Sequence, residues 1–480
     1  MLSTTVTANL SDFQVALLES IRKDPVKLYS QFRGLSQRVG GMKRVTKVNN
    51  RAYKIVQKRY AGGTLQKINP DGGSLGTGSG PSASEMYGGF FYGTFGIELT
   101  DKLMSQTDTV GSGTNGGAMM NAFTESVGEA MQTLVMHMDR YLFGSGNGLL
   151  TEGASATGSW SGGTTYTFNG ASDYVGCNWL IPGMAVYLIA SNLTTWKPQI
   201  GTRANHPYIV DNIDWGTKTV YLIGSPTTPA TGDRLTVVGI SSTAGASGGG
   251  LFGSAGWGPA APAVGANGDW PLNQAASGDS WIHGIQYANN NDGASYYLGV
   301  QRSTRPQLLP QSVNAAASYW SPFHTHDLRD KLIESAGPDA LTSLVGIAHM
   351  AQRKQTQATG LSITTAPITM GGQDVKDPVP TTGPDGLKPF VWGDVNHEIY
   401  PQQPRNRVDY VNWSLWETAA DFEGPRPIMT GGQPSFRIID VATGGQTTRQ
   451  QWMWEFSRDY ICVDPWRQGY IYNLAIPTTS

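Results

Sequence analysis

Two glycine-rich patterns have spacings that could support chemistry. Gly111-Ser112-Gly113-Thr114-Asn115-Gly116 matches a dinucleotide fingerprint, in which glycines let the backbone approach a pyrophosphate at a helix N-terminus. That chemistry also needs a βαβ unit and an acid for the ribose. Here β-like insertion sequence follows the helix, no acid ends a second strand, and a chain with 61 glycines offers chance matches. Gly245-Ala246-Ser247-Gly248-Gly249 spells a nucleophile elbow, but its flanks are glycine and serine rather than a strand and a helix. His324 and His326 lie two apart, so on a helix they do not share a face, and no third metal ligand is close in sequence. A capping or core role suits them better. His137 falls beside an apolar helical stripe and reads as a packed histidine. Cys177 and Cys462 fit no disulfide framework or zinc spacing. Asn192-Leu193-Thr194 is a glycosylation sequon without a secretion signal beside it. The carboxylates form no recognisable acid–base pair. These residues imply no enzyme, no cofactor and no metal.

The elements that carry these residues are more informative. Asp12 to Tyr29 reads as a short amphipathic helix, disturbed by Pro25, and Val39 to Asn49 as irregular and basic. Arg51 to Tyr60 and Met86 to Leu99 read as strands joined by a Gly-rich tip, Ala61 to Pro81. The second strand is crowded with aromatics, and an isolated hairpin is marginal in water, so packing on something outside the hairpin is expected, a neighbouring subunit being the simplest candidate. Asn115 to Phe143 has Phe123, Val127, Met131, Leu134, Met138 and Tyr141 at steps of three and four, the apolar stripe of a long helix stopped by Gly144. Short β segments follow: Met184–Ile189, Tyr208–Ile213, Lys218–Ile223 and Arg234–Val238, with Asp214-Trp215-Gly216-Thr217 as a hairpin turn. They suggest a small inserted barrel or sandwich. A glycine-rich loop spans 241–270. Ser321-Pro322 opens a helix that ends at Gly337, Leu341–Ala348 reads as a buried strand, and His349–Thr359 as a helix. Val408–Trp416, Gln451–Phe456, Tyr460–Val463 and Tyr470–Ile476 read as strands, with Trp452, Trp454 and Phe456 on one face.

Charge and composition point the same way. Only 15% of the 480 residues are charged, against about 25% in ordinary domains. Residues 1–67 carry thirteen Lys or Arg against three acids, a net +10. The remainder has 21 basic and 33 acidic residues, a net −12. A basic arm on an acidic body suits contact with a polyanion or docking onto another copy. No apolar run approaches the ~18 residues of a membrane span, and Met1 to Asn9 has no secretory signature.

This order of parts resembles a tailed-bacteriophage major capsid protein of the Hong Kong 97 type. The resemblance rests on the basic start Met1–Asn50, the two-stranded Arg51–Leu99, the helix Gly116–Phe143 and the mixed region after Gln301. The closing run Trp452-Met453-Trp454-Glu455-Phe456 to Tyr460-Ile461-Cys462-Val463-Asp464-Pro465 adds to it, as does the strand-rich stretch from Gly183 to Leu235. The resemblance implies an α+β fold with a basic N-arm at 1–50, an E-loop at 51–105 and a spine helix at 112–145. An inserted β-rich domain at 150–300 and interleaved P- and A-domains at 301–480 complete it. It further implies hexamers and pentamers in an icosahedral shell around double-stranded DNA, assembled in a bacterial cytoplasm. The implied partners are a separate scaffolding protein, a portal, a decoration or cement protein, and DNA bound without sequence specificity; no membrane is involved. The expected subunit contacts are Arg22, Lys23, Lys27, Arg33, Arg38, Lys43 and Arg44 in the arm. In the E-loop they are Lys54, Lys58, Arg59, Phe90, Phe91 and Phe95. Lys67, near the E-loop tip, has no assignable partner, so no covalent crosslink is expected. A β-rich surface-adhesion or carbohydrate-binding protein is the alternative, favoured by aromatics and low charge. It leaves the basic arm and the long helix unexplained.

Overall fold

The computed structural model describes residues 35–49, 52–60, 82–100, 115–144, 158–161, 165–168, 180–189, 208–214, 219–223, 234–236, 282–352, 390–392, 395–428, 435–439 and 446–475. The chain forms two compact units, each built from separated stretches of sequence. One holds 1–38, 90–139 and 419–459; the other holds 39–89, 140–418 and 460–480.

The N-terminal part begins with a 3-10 turn, Leu35–Arg38, followed by β1 (Val45–Asn49), β2 (Ala52–Tyr60) and β3 (Ser82–Gly89). These three strands make one antiparallel sheet in the order β1-β2-β3. The segment expected to be irregular therefore contributes a third strand. Its Val45 opposes Ile55, which opposes Met86, and all three are buried. Matching β-branched and apolar residues on one face recruits β1 to the hairpin.

The aromatic segment expected as one strand, Met86 to Leu99, is two. β3 ends at Gly89, and β4 (Tyr92–Thr100) joins a different sheet. Phe90 and Phe91 between them are both buried, which ties the chain down at the break.

Helix α1 (Asn115–Leu142) spans 28 residues, about 40 Å at ~1.5 Å per residue. Val127, Met131, Leu134, Met138 and Leu142 are buried at successive steps of four and three. The helix ends where Phe143 and Gly144 N–H groups bond the Arg140 and Tyr141 carbonyls. The Phe123 side chain lies outside the described residues.

Next come β5 (Gly158–Ser161), β6 (Thr165–Phe168), β7 (Ala185–Ile189), β8 (Tyr208–Asp214), β9 (Thr219–Ile223) and β10 (Arg234–Thr236). They form one six-stranded antiparallel sheet, ordered β10-β7-β8-β9-β6-β5. Asp214 pairs with Thr219, so the expected hairpin closes there, while its turn residues 215–217 lie outside the described residues. Val186, Leu188, Tyr208, Val210, Val220 and Leu222 are buried, the alternation of a sheet with one covered face.

The short α2 (Ile285–Ala288) leads to a two-residue hairpin of β11 (Tyr296–Tyr297) and β12 (Val300–Gln301). The chain continues through β13 (Gln311–Asn314), α3 (Pro322–Ala336), β14 (Leu344–Ala348), β15 (Phe390–Trp392), β16 (Val395–Ile399) and β17 (Val408–Asn412). With β23 (Gly469–Tyr472), these strands make a six-stranded mixed sheet ordered β13-β23-β17-β14-β16-β15. Two of its pairings are parallel, β13 with β23 and β14 with β16. Leu328 and Leu332 of α3 pack with Trp320, Val408, Tyr410 and Ile471 in one core. Each buried leucine contributes roughly 1.5–3 kcal/mol.

Every residue of β17 is buried, as a strand covered on both faces requires. Tyr410 points to α3, where its hydroxyl meets Thr325 at 2.8 Å. Asp409, one residue away, faces the opposite side and takes two bonds from Arg407 Nε at 3.0 Å each. It also accepts from Asn289 Nδ2 at 3.1 Å and Gln403 Nε2 at 2.7 Å, so its buried charge is fully satisfied.

The last elements are β18 (Trp416–Ala419), β19 (Arg426–Pro427), β20 (Ser435–Ile439), β21 (Gln446–Ser457) and β22 (Asp459–Cys462). β21 is the centre of a sheet that pairs with β4 along one edge and with β20 and β19 along the other. β18 and β22 lie where the chain passes from one unit to the other.

Candidate assembly surface

The arm sheet has two unlike faces. Tyr53, Ile55 and Met86 are fully buried on one face, and the Tyr53 ring lies over Gly88, where a Cβ would sit 2.3 Å from it. On the other, Val56 is 45% and Tyr87 50% exposed. Strand alternation explains this: Lys54 opposes Tyr87 and Val56 opposes Glu85, all one residue out of phase with the buried set. Lys54 Nζ pairs with Glu85 Oε1 at 2.9 Å, and the Tyr87 hydroxyl donates to Glu85 Oε2. The Tyr87 and Lys54 bonds hold the Glu85 carboxyl below its ordinary value, and the Glu85 bond raises the Lys54 ammonium. This is an amphipathic surface, two apolar side chains beside an ion pair already satisfied within the chain.

A second exposed apolar spot lies before and on α3. Phe323 is 78% exposed and Tyr319 48%, on either side of the fully buried Trp320. The preceding loop puts Ala316 and Ala317 at φ 50° and 60°, a left-handed conformation costing roughly 1–2 kcal/mol per L-residue. Hydrogen bonds hold it there: Ala316 N–H donates to Asn314 Oδ1 at 2.8 Å, and Ala317 N–H to the Asn473 carbonyl at 2.8 Å. His324 caps the helix; its Nδ1 accepts from Ser321 N–H at 3.3 Å, and its partial burial lowers the imidazole's affinity for a proton. Among the described residues no group of three His, Cys, Asp or Glu side chains is placed to hold a metal ion.

The expected contact residues divide three ways. Arg22, Lys23, Lys27 and Arg33 lie outside the described residues, as do Lys67, Ser247 and Gly111 to Thr114. The backbones of Lys58 and Arg59 belong to β2, and their side chains are outside the described set. Arg38 closes the first 3-10 turn and is half-buried. Lys43 is exposed, but its N–H, like that of Arg44, donates to Glu417, and the Arg44 guanidinium pairs with the same carboxylate. Phe91 and Phe95 pack on their own chain. Phe95 stacks on Trp454 with ring centroids 5.5 Å apart, and Phe91 lies 5.9 Å from Phe456. The aromatic strand does pack on something outside the hairpin, and that partner is β21 of the same chain, whose Trp452, Trp454 and Phe456 supply the matching face. Tyr87, Val56, Phe323, Tyr319 and Glu417 were missed. Alternation in β2 and β3 could have flagged Val56 and Tyr87; Glu417 had no local signal.

No protein-family profile matches the sequence, and no curated protein does. Among solved structures, the chain is similar to the cyanophage A-1(L) capsid asymmetric unit (TM-score 0.43, 7% identity, covering 91% of this chain and 90% of that one). It is similar to the capsid of the native GTA particle (TM-score 0.39, 6% identity, 92% and 90% covered). It is also similar to a chain of the satellite phage P4 procapsid containing the size determination protein (TM-score 0.37, 8% identity, 99% and 92% covered). At these scores the likeness carries no argument by itself; the functional reading rests on the chain's own elements.

Proposed function

We propose that this chain is the major shell subunit of a tailed-bacteriophage head, assembling as hexamers and pentamers into an icosahedral shell around double-stranded DNA. The observation that carries this reading is the pairing of β4 with β21. A strand that leaves the arm and precedes the long helix is joined, register by register, by a strand close to the C-terminus. The unit that bears most of the long helix is thereby assembled from stretches far apart in sequence, 1–38, 90–139 and 419–459, which supports the reading. The exposed apolar side chains Val56, Tyr87, Tyr319 and Phe323 supply surface that self-association would bury, at about 25 cal/mol per Å².

In this reading the contacts between copies run through the arm residues Lys54, Lys58 and Arg59, and through the basic N-terminal residues Arg22, Lys23, Lys27, Arg33, Arg38 and Lys43. Phe90, Phe91, Phe95 and Arg44 act by fixing the elements that carry these groups. Basic residues facing the interior would bind DNA without sequence specificity and with strong salt dependence. Scaffolding, portal and cement proteins are the expected partners, and assembly takes place in the bacterial cytoplasm.

Negative-stain electron microscopy with a solution mass tests the reading. Rings, tubes or closed shells are expected. A 51.5 kDa monomer at every concentration that also binds an immobilised glycan would overturn it in favour of a β-rich binding protein.

A further inference from the structure

One buried carboxylate gathers the chain just before β1. Glu417 is 2% exposed, and its Oε2 accepts from three consecutive backbone N–H groups: Lys43 at 2.8 Å, Arg44 at 2.7 Å and Val45 at 3.1 Å. Its Oε1 accepts from Arg44 Nε at 2.8 Å. Arg44 also donates to the Ser414 carbonyl at 3.1 Å, and its Nη1 lies 3.8 Å from Asp464. Next to this cluster Gly40 bridges the same strand in parallel: its N–H donates to the Trp416 carbonyl at 3.1 Å, and the Gly40 carbonyl accepts from Thr418 N–H at 2.8 Å. Gly41 has nothing within 4 Å of a Cβ position, so the link between bridge and cluster is open on that side.

Four donors on one charge make this joint all-or-none. Neutralising the carboxylate weakens every bond together, because each is charge-assisted, and charge-assisted bonds are roughly twice as strong as neutral ones. The six-stranded sheet ordered β13-β23-β17-β14-β16-β15 has its own core, to which Lys43, Arg44, Val45 and Glu417 do not belong. We propose that Glu417 is an acid-labile latch: ionised, it fastens the segment entering β1, and neutralised, it lets the segment before β1 detach while that sheet stays folded. The proposal does not depend on what the chain assembles into.

The charged groups facing the latch are Arg44 and, beyond it, Asp464; the Lys43 side chain is exposed. Burial by itself would raise the Glu417 carboxyl, but the Arg44 bond and the three backbone N–H bonds outweigh it and leave the group below its ordinary value. A depressed folded value means the latch holds above the carboxylate range and is lost as pH falls through that folded value.

Hydrogen exchange resolved at Lys43, Arg44 and Val45, with Leu344–Ala348 and Val408–Asn412 as internal controls, tests this in the full chain. Glu417→Gln at neutral pH should speed exchange at 43–45 by roughly tenfold or more, following the loss of charge assistance, with the controls unmoved. In the wild type the same amides should loosen on acidification. Arg44→Ala should shift that transition to higher pH, because the carboxyl loses its strongest stabilising bond. Unchanged exchange in Glu417→Gln overturns the proposal, as does equal loosening of the control strands, which would make Glu417 an ordinary core residue. Should Glu417→Gln fail to fold, the wild-type and Arg44→Ala titrations decide: an acid transition unmoved by Arg44→Ala overturns the latch.

Discussion

His349 follows β14 directly, buried, its Nδ1 accepting from Ala351 N–H at 3.0 Å. Burial, with Arg405 nearby, pushes its pKa down to about 3. The folded imidazole therefore refuses a proton that the unfolded chain takes near its usual ~6.5. The sign follows: its contribution is complete above the unfolded value and is lost as pH falls toward the folded one. Unfolding free energy should decline between about pH 6.5 and 3, and His349→Gln should flatten that part of the pH profile in urea titrations. An unaltered profile would show that other groups carry the acid sensitivity. The buried Asp409 carboxylate, by comparison, is met by Arg407, Asn289 and Gln403 together. The Arg407 guanidinium also lies 3.9 Å from the Tyr470 ring centroid, so its desolvation is offset twice.

Sheets in this chain are specified by complementary faces. β4 and β21 match Phe95 to Trp454 and Ile97 to Trp452, while Gly93 opposes Phe456. A Cβ on Gly93 would meet the Phe456 ring at 2.4 Å, so the glycine is what lets the ring lie flat across β4. Gly93→Ala should cost about 1–3 kcal/mol, the usual penalty for overpacking a well-filled site. Gly41→Ala, with open space around it, should leave thermal unfolding nearly unchanged. Equal midpoints for the two variants would mean that the ring moves aside freely. The same logic explains why the aromatic run divides at Phe90-Phe91. Residues on each side of the break find partner faces in two different sheets, and no single strand direction satisfies both.

For the molecule as a whole, the proposed assembly is tested at the connection between β2 and β3. Tyr60 pairs with Ser82, so the strands are already in register where the described part of the hairpin ends. Replacing Gly62–Pro81 with one glycine leaves Ala61-Gly as a two-residue turn, the length that suits a tight hairpin. The subunit should keep its thermal midpoint and lose closed shells by electron microscopy. Normal shells from this variant would remove the loop from the assembly mechanism; a lost fold would make it part of the subunit core.

Helices and strands were legible in the sequence wherever the apolar period was strong. Val127, Met131, Leu134 and Met138 announce a helix by spacing alone, Ser321-Pro322 and Gly337 mark both ends of α3, and Trp452-Met453-Trp454 announces a strand. Local sterics and the need to bury one face suffice for such elements. Partner choice was not legible. That β21 would take up β4, that β1 would complete the arm sheet, and that Glu417 would bond residues 43–45 all depend on contacts between residues far apart in the chain. Such contacts are selected by face complementarity and desolvated charge, which no local window contains, so only the tertiary structure decides which aromatics are consumed within the chain and which remain exposed.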